Sequence, residues 1–149
     1  MSDNWLQFVP VNPKYQPSRQ AAEKAKLLLA TFVPRAKEVN VEFTDNIRFF
    51  NPCGNWSGVN CPACGQNANA WWGNAMDQAF HGQFTELEVK TPCCGATVSL
   101  NEMDYIWPAA FGSFVLEAMN PNVTDLTAVQ EQQLAFCLGC KLLKVWVHI

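Results

Sequence analysis

The chain has 149 residues, of which 49% are apolar and 12% aromatic, enough for one domain with a substantial core. Its apolar runs fall well short of the ~20 residues that a membrane-spanning helix needs, so we expect a soluble protein. The net charge is −3, and between Phe49 and Cys140 a single basic residue, Lys90, stands against eight acidic ones, which disfavours binding to the phosphates of nucleic acid.

The first third of the chain predicts a strand, a helix and a hairpin. A strand is expected over 5–11, followed by a helix that Ser18 caps and Pro34 ends. Alternating apolar and polar residues predict a second strand over 39–43, and a turn at 44–46 predicts that residues 47–50 return beside it. We expect residues 1–50 to form an N-terminal α+β unit.

The middle third, residues 51–100, carries five of the seven cysteines. A short helix is expected over 69–80. Residues 87–90 and 96–100 predict two paired strands with a cysteine pair between them. Because its pair Cys61-Pro-Ala-Cys64-Gly resembles the knuckle of zinc-ribbon proteins, we expect this part to form a zinc-ribbon-like segment.

The last third, residues 101–149, repeats the pattern of the first. A strand beginning at Phe114 ends in Asn-Pro, as the first strand does, and Thr127 with Gln130 predicts a capped helix. Alternation over 143–149 predicts a closing strand. The expected fold is therefore α+β, one compact globule of two strand-helix-strand units around the zinc-ribbon-like segment, with neighbouring parallel strands in each unit. Internal duplication and two unrelated units remain equal alternatives.

Two cysteine pairs give the strongest functional signal. Cys61-Pro-Ala-Cys64-Gly and Pro-Cys93-Cys94-Gly each place thiols beside a glycine that permits a tight turn. Paired thiols a few tens of residues apart are typical of a four-cysteine zinc site, so the sequence predicts bound Zn²⁺. Four thiolates leave no open position on the metal, which favours a structural over a catalytic ion.

The adjacent pair raises the question of which residues bind. Neighbouring side chains of a strand point to opposite faces, so Cys93 and Cys94 can both be ligands only if the chain turns sharply there. If one of them is not a ligand, Cys53 or His81 must complete the set. Buried free thiols and a disulfide are the alternatives. The odd cysteine count and the lack of a secretory signal favour a reducing, cytoplasmic location over the disulfide.

The first pair resembles the knuckle of zinc-ribbon proteins over about ten residues. With the Thr-Pro-Cys-Cys-Gly segment and the Tyr105-Ile-Trp107-Pro stretch, it is also similar to uncharacterised bacterial proteins. The resemblance implies a bacterial cytosolic protein and transfers no catalytic residue.

A third pair, Cys137-Leu-Gly-Cys140, follows a predicted helix. A redox dithiol needs a lowered pKa, which a helix N-terminus supplies, whereas this pair lies at a C-terminal end. We therefore interpret it as two small buried residues.

No catalytic constellation is evident, so we predict a protein-interaction module: an adaptor, a regulator or a toxin-neutralising protein. Its expected surface is Glu102, Asp104, Tyr105 and Trp107. The acidic and aromatic side chains suit a basic protein as the partner, rather than a membrane. The alternatives are an enzyme that uses Glu102 and Asp104 with His81 and Tyr105, and a weak nucleic-acid-binding zinc ribbon. An equally favoured alternative is that Tyr105 and Trp107 pack in the protein core rather than forming a surface.

Overall fold

A computed structural model describes residues 2–149, which form three α-helices and eight strands. In chain order these are β1 (Asn4–Pro10), α1 (Arg19–Phe32), β2 (Glu38–Phe50), β3 (Val59–Asn60), α2 (Asn69–His81), β4 (Glu88–Lys90), β5 (Thr97–Ser99), β6 (Asp104–Tyr105), β7 (Ala110–Met119), α3 (Ala128–Leu138) and β8 (Leu142–His148). The protein therefore belongs to the expected α+β class.

The main sheet has four strands in the order β2-β7-β1-β8, and every neighbouring pair is antiparallel. The prediction of neighbouring parallel strands is wrong. Each helical connection carries the chain across an intervening strand, so β1 and β2 are parallel but have β7 between them, and β7 and β8 have β1 between them. Two interlocked units of this kind form the split β-α-β arrangement, also called ferredoxin-like.

The predicted hairpin at residues 44–46 is also wrong, because both halves belong to β2. Phe43 pairs with Phe114 and Arg48 with Gly112, and the residues between them form an irregularity in the register. The Thr44 hydroxyl donates to the Asn46 carbonyl across this irregularity (2.7 Å). Both halves of β2 find partners on the ten-residue β7.

The helix boundaries follow the predicted capping residues. Ser18 accepts a hydrogen bond from the Ala21 N–H (3.0 Å), and Thr127 with Gln130 forms a complete capping box. Gly139 adopts a left-handed conformation and ends α3. Helices α1 and α3 bury Leu29 and Leu134 in the same core as the sheet residues Phe8, Phe114 and Leu116.

The segment between β2 and β7, residues 51–109, forms an inserted lobe with a core of its own. Val59, Phe84, Leu100 and Tyr105 are buried there, and they pack together with Phe111 from the first part of β7. The paired strands β4 and β5 confirm the prediction for residues 87–100, and α2 confirms the helix predicted over 69–80. Within residues 2–149, no helix has the length and apolar character required to cross a bilayer.

Candidate metal centre

The first cysteine pair lies on a tight turn that joins β3 to the residues before α2. The Gly65 N–H donates to the Cys61 carbonyl, and the Cys61 N–H donates to the Gln66 carbonyl, both at 2.8 Å. Gly65 has a φ of +78°, a left-handed conformation that an L side chain rarely adopts. The turn brings Cys61 and Cys64 to the same side of the backbone.

The second pair lies on the turn that joins β4 to β5. The Gly95 N–H donates to the Thr91 carbonyl and the Thr91 N–H to the Ala96 carbonyl, again at 2.8 Å. Cys93 and Cys94 lie within this turn rather than in a strand, so the alternation that would separate their side chains does not apply. The sharp turn that two adjacent ligands require is present.

The two turns bring four thiols together. The sulfurs of Cys61, Cys64, Cys93 and Cys94 all lie within 4.8 Å of one another. The Cys61 and Cys94 sulfurs are 3.9 Å apart, and those of Cys64 and Cys93 are 3.5 Å apart. Each close contact joins one turn to the other, so the cluster links two parts of the chain that lie about thirty residues apart. Such a cluster is close enough to hold a metal ion.

The two short sulfur–sulfur distances are close to those of tetrahedral coordination. A tetrahedron with metal–sulfur bonds of about 2.3 Å has neighbouring sulfurs about 3.8 Å apart, which lies between the two observed contacts. Four sulfur donors in this geometry suit zinc or iron rather than the oxygen-preferring cations. The donor set therefore fits the predicted Zn²⁺ chemically. A site in which protein fills all four positions is typical of structural rather than catalytic zinc.

Backbone and hydroxyl donors stabilise negative charge in the cluster. The N–H of Cys64, followed by that of Ala63, lowers the pKa of Cys61 to about 6, although burial acts in the opposite direction. In the second turn, the Thr91 hydroxyl and then the Ala96 N–H lower the pKa of Cys94. The pKa of one thiol in each turn is thus lowered by hydrogen bonds from its own turn.

Cys64 behaves differently because it lies among the other thiols. The Gln66 N–H acts to lower its pKa, but burial and the neighbouring thiols, first Cys93, raise it to about 12. Several thiolates cannot share so small a space without a cation. A divalent ion among the sulfurs reverses this balance and favours the thiolate at every ligand.

Neither predicted substitute ligand belongs to the cluster. Cys53 lies against the last strand, where it forms an isolated bridge with His148, and its own N–H donates to the Asn51 side chain. His81 is the last residue of α2 and packs with Phe80. Within the described residues, the group that can hold an ion contains four cysteines and no other residue type.

The third pair lies far from this cluster in the fold. Cys137 is on α3, with its sulfur 3.7 Å from the Ala21 carbonyl, and Cys140 follows the helix end at Gly139. Both are half-buried. Burial raises the pKa of Cys140. This is the direction expected for a pair at a helix C-terminus, but the cause is desolvation rather than the helix dipole.

The expected interaction surface is only partly exposed. Tyr105 is buried; its hydroxyl donates to the Leu100 carbonyl (2.6 Å) and accepts from the Trp72 indole N–H (3.2 Å). The core alternative is therefore correct for Tyr105, whereas Trp107 is 40% exposed. Glu102 and Asp104 are exposed. Among residues 2–149 no hydrogen bond or ion pair joins either carboxylate to His81 or Tyr105.

Sequence reasoning missed Thr91. It is 2% exposed, and its hydroxyl oxygen lies 3.1 Å from the Cys94 sulfur. The signal that could have found it is the alignment of Cys-Pro-Ala-Cys-Gly with Thr-Pro-Cys-Cys-Gly, in which Thr91 takes the place of Cys61.

No protein-family model, curated protein or solved structure matches this chain. The case for function therefore rests on the residues of the cluster and of the inserted lobe.

Proposed function

We propose that the protein is a zinc-stabilised protein-interaction module of the cytosol, in which the four-cysteine site staples the inserted lobe and the lobe presents a surface to another protein. The observation that carries this proposal is the cluster of four cysteine sulfurs within 4.8 Å of one another. Adaptors, regulators and toxin-neutralising proteins are the classes that fit such a module.

A staple is useful because, apart from α2, the regular structure of the lobe consists of very short strands. Strands β3 and β6 have two residues each, and β4 and β5 have three. Strands this short contribute few hydrogen bonds, and a small core rarely stabilises such a segment without a metal or disulfide. Binding of an ion to both turns supplies folding free energy to the lobe.

The staple lies directly beside the proposed surface, which we define as Glu102, Asp104, Ile106 and Trp107. Asp104 pairs with Asn60, the residue before Cys61, and the Ile106 N–H donates to the Gly58 carbonyl. The strand that leads into the first metal turn therefore holds the surface segment in place. A segment fixed in this way loses less conformational entropy on binding than a free loop.

The chemistry of this surface suits a basic protein. Ile106 is 53% exposed and Trp107 40%, and aromatic residues are enriched at interface centres. Five acidic residues of the inserted lobe are exposed, and within residues 2–149 none of them forms an ion pair; they are Asp77, Glu86, Glu88, Glu102 and Asp104. Exposed carboxylates such as Glu102 and Asp104 attract a partner with Lys or Arg and steer its approach.

A charge-reversal experiment tests the surface. Wild-type protein and a Glu102→Lys, Asp104→Lys variant serve as bait in a native lysate, with Glu23→Lys, Asp45→Lys as a control of equal charge change. All four positions are exposed. We expect wild type and control to recover the same partner and the surface variant to lose it while keeping its zinc. Equal recovery by all three, or no partner for any, would contradict the proposed surface.

A further inference from the structure

The two metal turns have the same backbone, although their cysteines differ in position. In each turn a left-handed glycine donates to the carbonyl four residues earlier at 2.8 Å: Gly65 to Cys61, and Gly95 to Thr91. The φ angles of the two glycines, +78° and +73°, are nearly the same. Thr91 thus occupies in the second turn the position that Cys61 occupies in the first.

A second pair of backbone hydrogen bonds also matches between the two turns. Cys61 donates its N–H to the carbonyl five residues later, and Thr91 does the same to Ala96, both at 2.8 Å. Cys94 then corresponds to Cys64. Cys93 corresponds to Ala63, a position without a ligand in the first turn. The second turn therefore has no thiol at its first position and has one two residues later.

The Thr91 side chain is built into the site. Its hydroxyl accepts a hydrogen bond from the Ala96 N–H and lies 3.1 Å from the Cys94 sulfur, and the residue is 2% exposed. A metal-bound thiolate carries no proton, so the hydroxyl must be the donor in that contact. A threonine hydroxyl has only one proton, and in this arrangement that proton is donated to the Cys94 sulfur.

We propose that Thr91 is a positioning residue of the metal centre: its hydroxyl orients the Cys94 thiolate, while Cys93 supplies the ligand that position 91 lacks. The inference rests on the proposed metal site. Partners that hydrogen-bond to metal ligands fix the orientation of those ligands, and their loss costs about 10–100-fold in metal affinity.

Zinc affinity measured by chelator competition tests this role with three variants. Thr91→Val keeps the shape of the side chain and removes the hydroxyl, Thr91→Ser restores the hydroxyl, and Thr97→Val is a control at an exposed position on β5. We expect Thr91→Val to weaken zinc binding about 10–100-fold, Thr91→Ser to recover most of the loss, and Thr97→Val to have no effect. Unchanged affinity in Thr91→Val would overturn the positioning role, whereas a wild type that binds no zinc would overturn the proposed metal site itself.

Ligand relocation tests the equivalence of the turns even if Thr91→Val does not fold. Cys93→Ala alone leaves three thiols, and Thr91→Cys with Cys93→Ala restores four in the arrangement of the first turn. Cobalt(II) serves as the probe, because its absorption distinguishes tetrahedral four-thiolate coordination. We expect the double variant to regain the wild-type form of the spectrum and Cys93→Ala to lose it. A double variant no better than Cys93→Ala would overturn the inference.

Discussion

Thr91 holds in the second cysteine turn the place that Cys61 holds in the first, with the same hydrogen bond from a left-handed glycine to its carbonyl. This relationship explains how two adjacent cysteines can serve one site. Cys94 lies at the fourth position of the turn, as Cys64 does in the first, and in the proposed site Cys93 supplies the ligand that position 91 lacks. Although the cysteines occupy different positions in the two turns, their four sulfurs lie within 4.8 Å of one another.

The stability of the protein should depend far more on Cys61 than on Cys137. Cys61→Ser removes a fully buried member of the cluster, and structural metal binding is folding free energy, so we expect a loss of several kcal/mol or an unfolded inserted lobe. Cys137→Ser changes a half-buried thiol outside the cluster and should cost about 1 kcal/mol. Thermal unfolding of both variants measures the difference, and equal melting temperatures would count against the ligand assignment.

Nucleic acid should not bind at physiological salt. Phosphate binding needs Lys or Arg, and the inserted lobe has one lysine, Lys90, against five exposed acidic residues. Fluorescence anisotropy with labelled mixed-sequence DNA and RNA measures this directly. Salt-sensitive binding with a submicromolar Kd would show that the charge argument is wrong.

Two glycine substitutions should have opposite effects. A Cβ added at Gly112 would lie 2.5 Å from Cγ1 of the buried Val9, so Gly112→Ala overpacks the sheet and should destabilise by about 1–3 kcal/mol. An added Cβ at Gly73 meets no atom within 4 Å, and Gly73→Ala in the middle of α2 should stabilise by about 0.5–1 kcal/mol. Denaturant unfolding measures the change in the free energy of unfolding for each variant. A stabilising Gly112→Ala would contradict the close packing of β7 against Val9.

The half-buried Glu117 on β7 should make stability depend on pH. Burial, followed by the nearby Glu42 carboxylate, raises the pKa of Glu117 above the unfolded value of about 4.3. The stability that its proton provides is complete below the unfolded pKa and is lost as the pH rises through the folded one.

Glu117→Gln should therefore be more stable than wild type at pH 7, and the advantage should shrink towards pH 4. Urea unfolding at both pH values measures it, with the exposed Glu23→Gln as control. An advantage that is the same at both pH values would contradict the assigned pKa shift.

Local features of the fold were predictable from sequence because their causes are local. Ser18 and Thr127 cap their helices through contacts within three residues, and Gly139 ends α3 through its own backbone. The turn at Cys61 and Cys64 was predictable in the same way, because turn geometry depends on only a few neighbouring residues. The meeting of the two cysteine pairs is not local, and its prediction rested on the chemistry of four-cysteine metal sites.

The sheet was predicted less well because its order depends on distant pairing. Residues 44–46 have the composition of a turn, yet β7 holds both flanking segments in one strand, and nothing local reports that partner. The parallel-neighbour prediction failed for the same reason, since β7 and β1 each enter between the strands of the other unit. Tyr105 lies next to exposed residues in sequence, and only the packing of the inserted lobe shows that it is buried.

The central claim is that four cysteines hold one zinc ion, and the metal content of the purified, reduced protein tests it most directly. Native mass spectrometry with elemental analysis, on protein prepared without added metal, should give about one zinc per chain for wild type and none for Cys61→Ser. A wild-type chain that is folded, reduced and free of metal would contradict the claim.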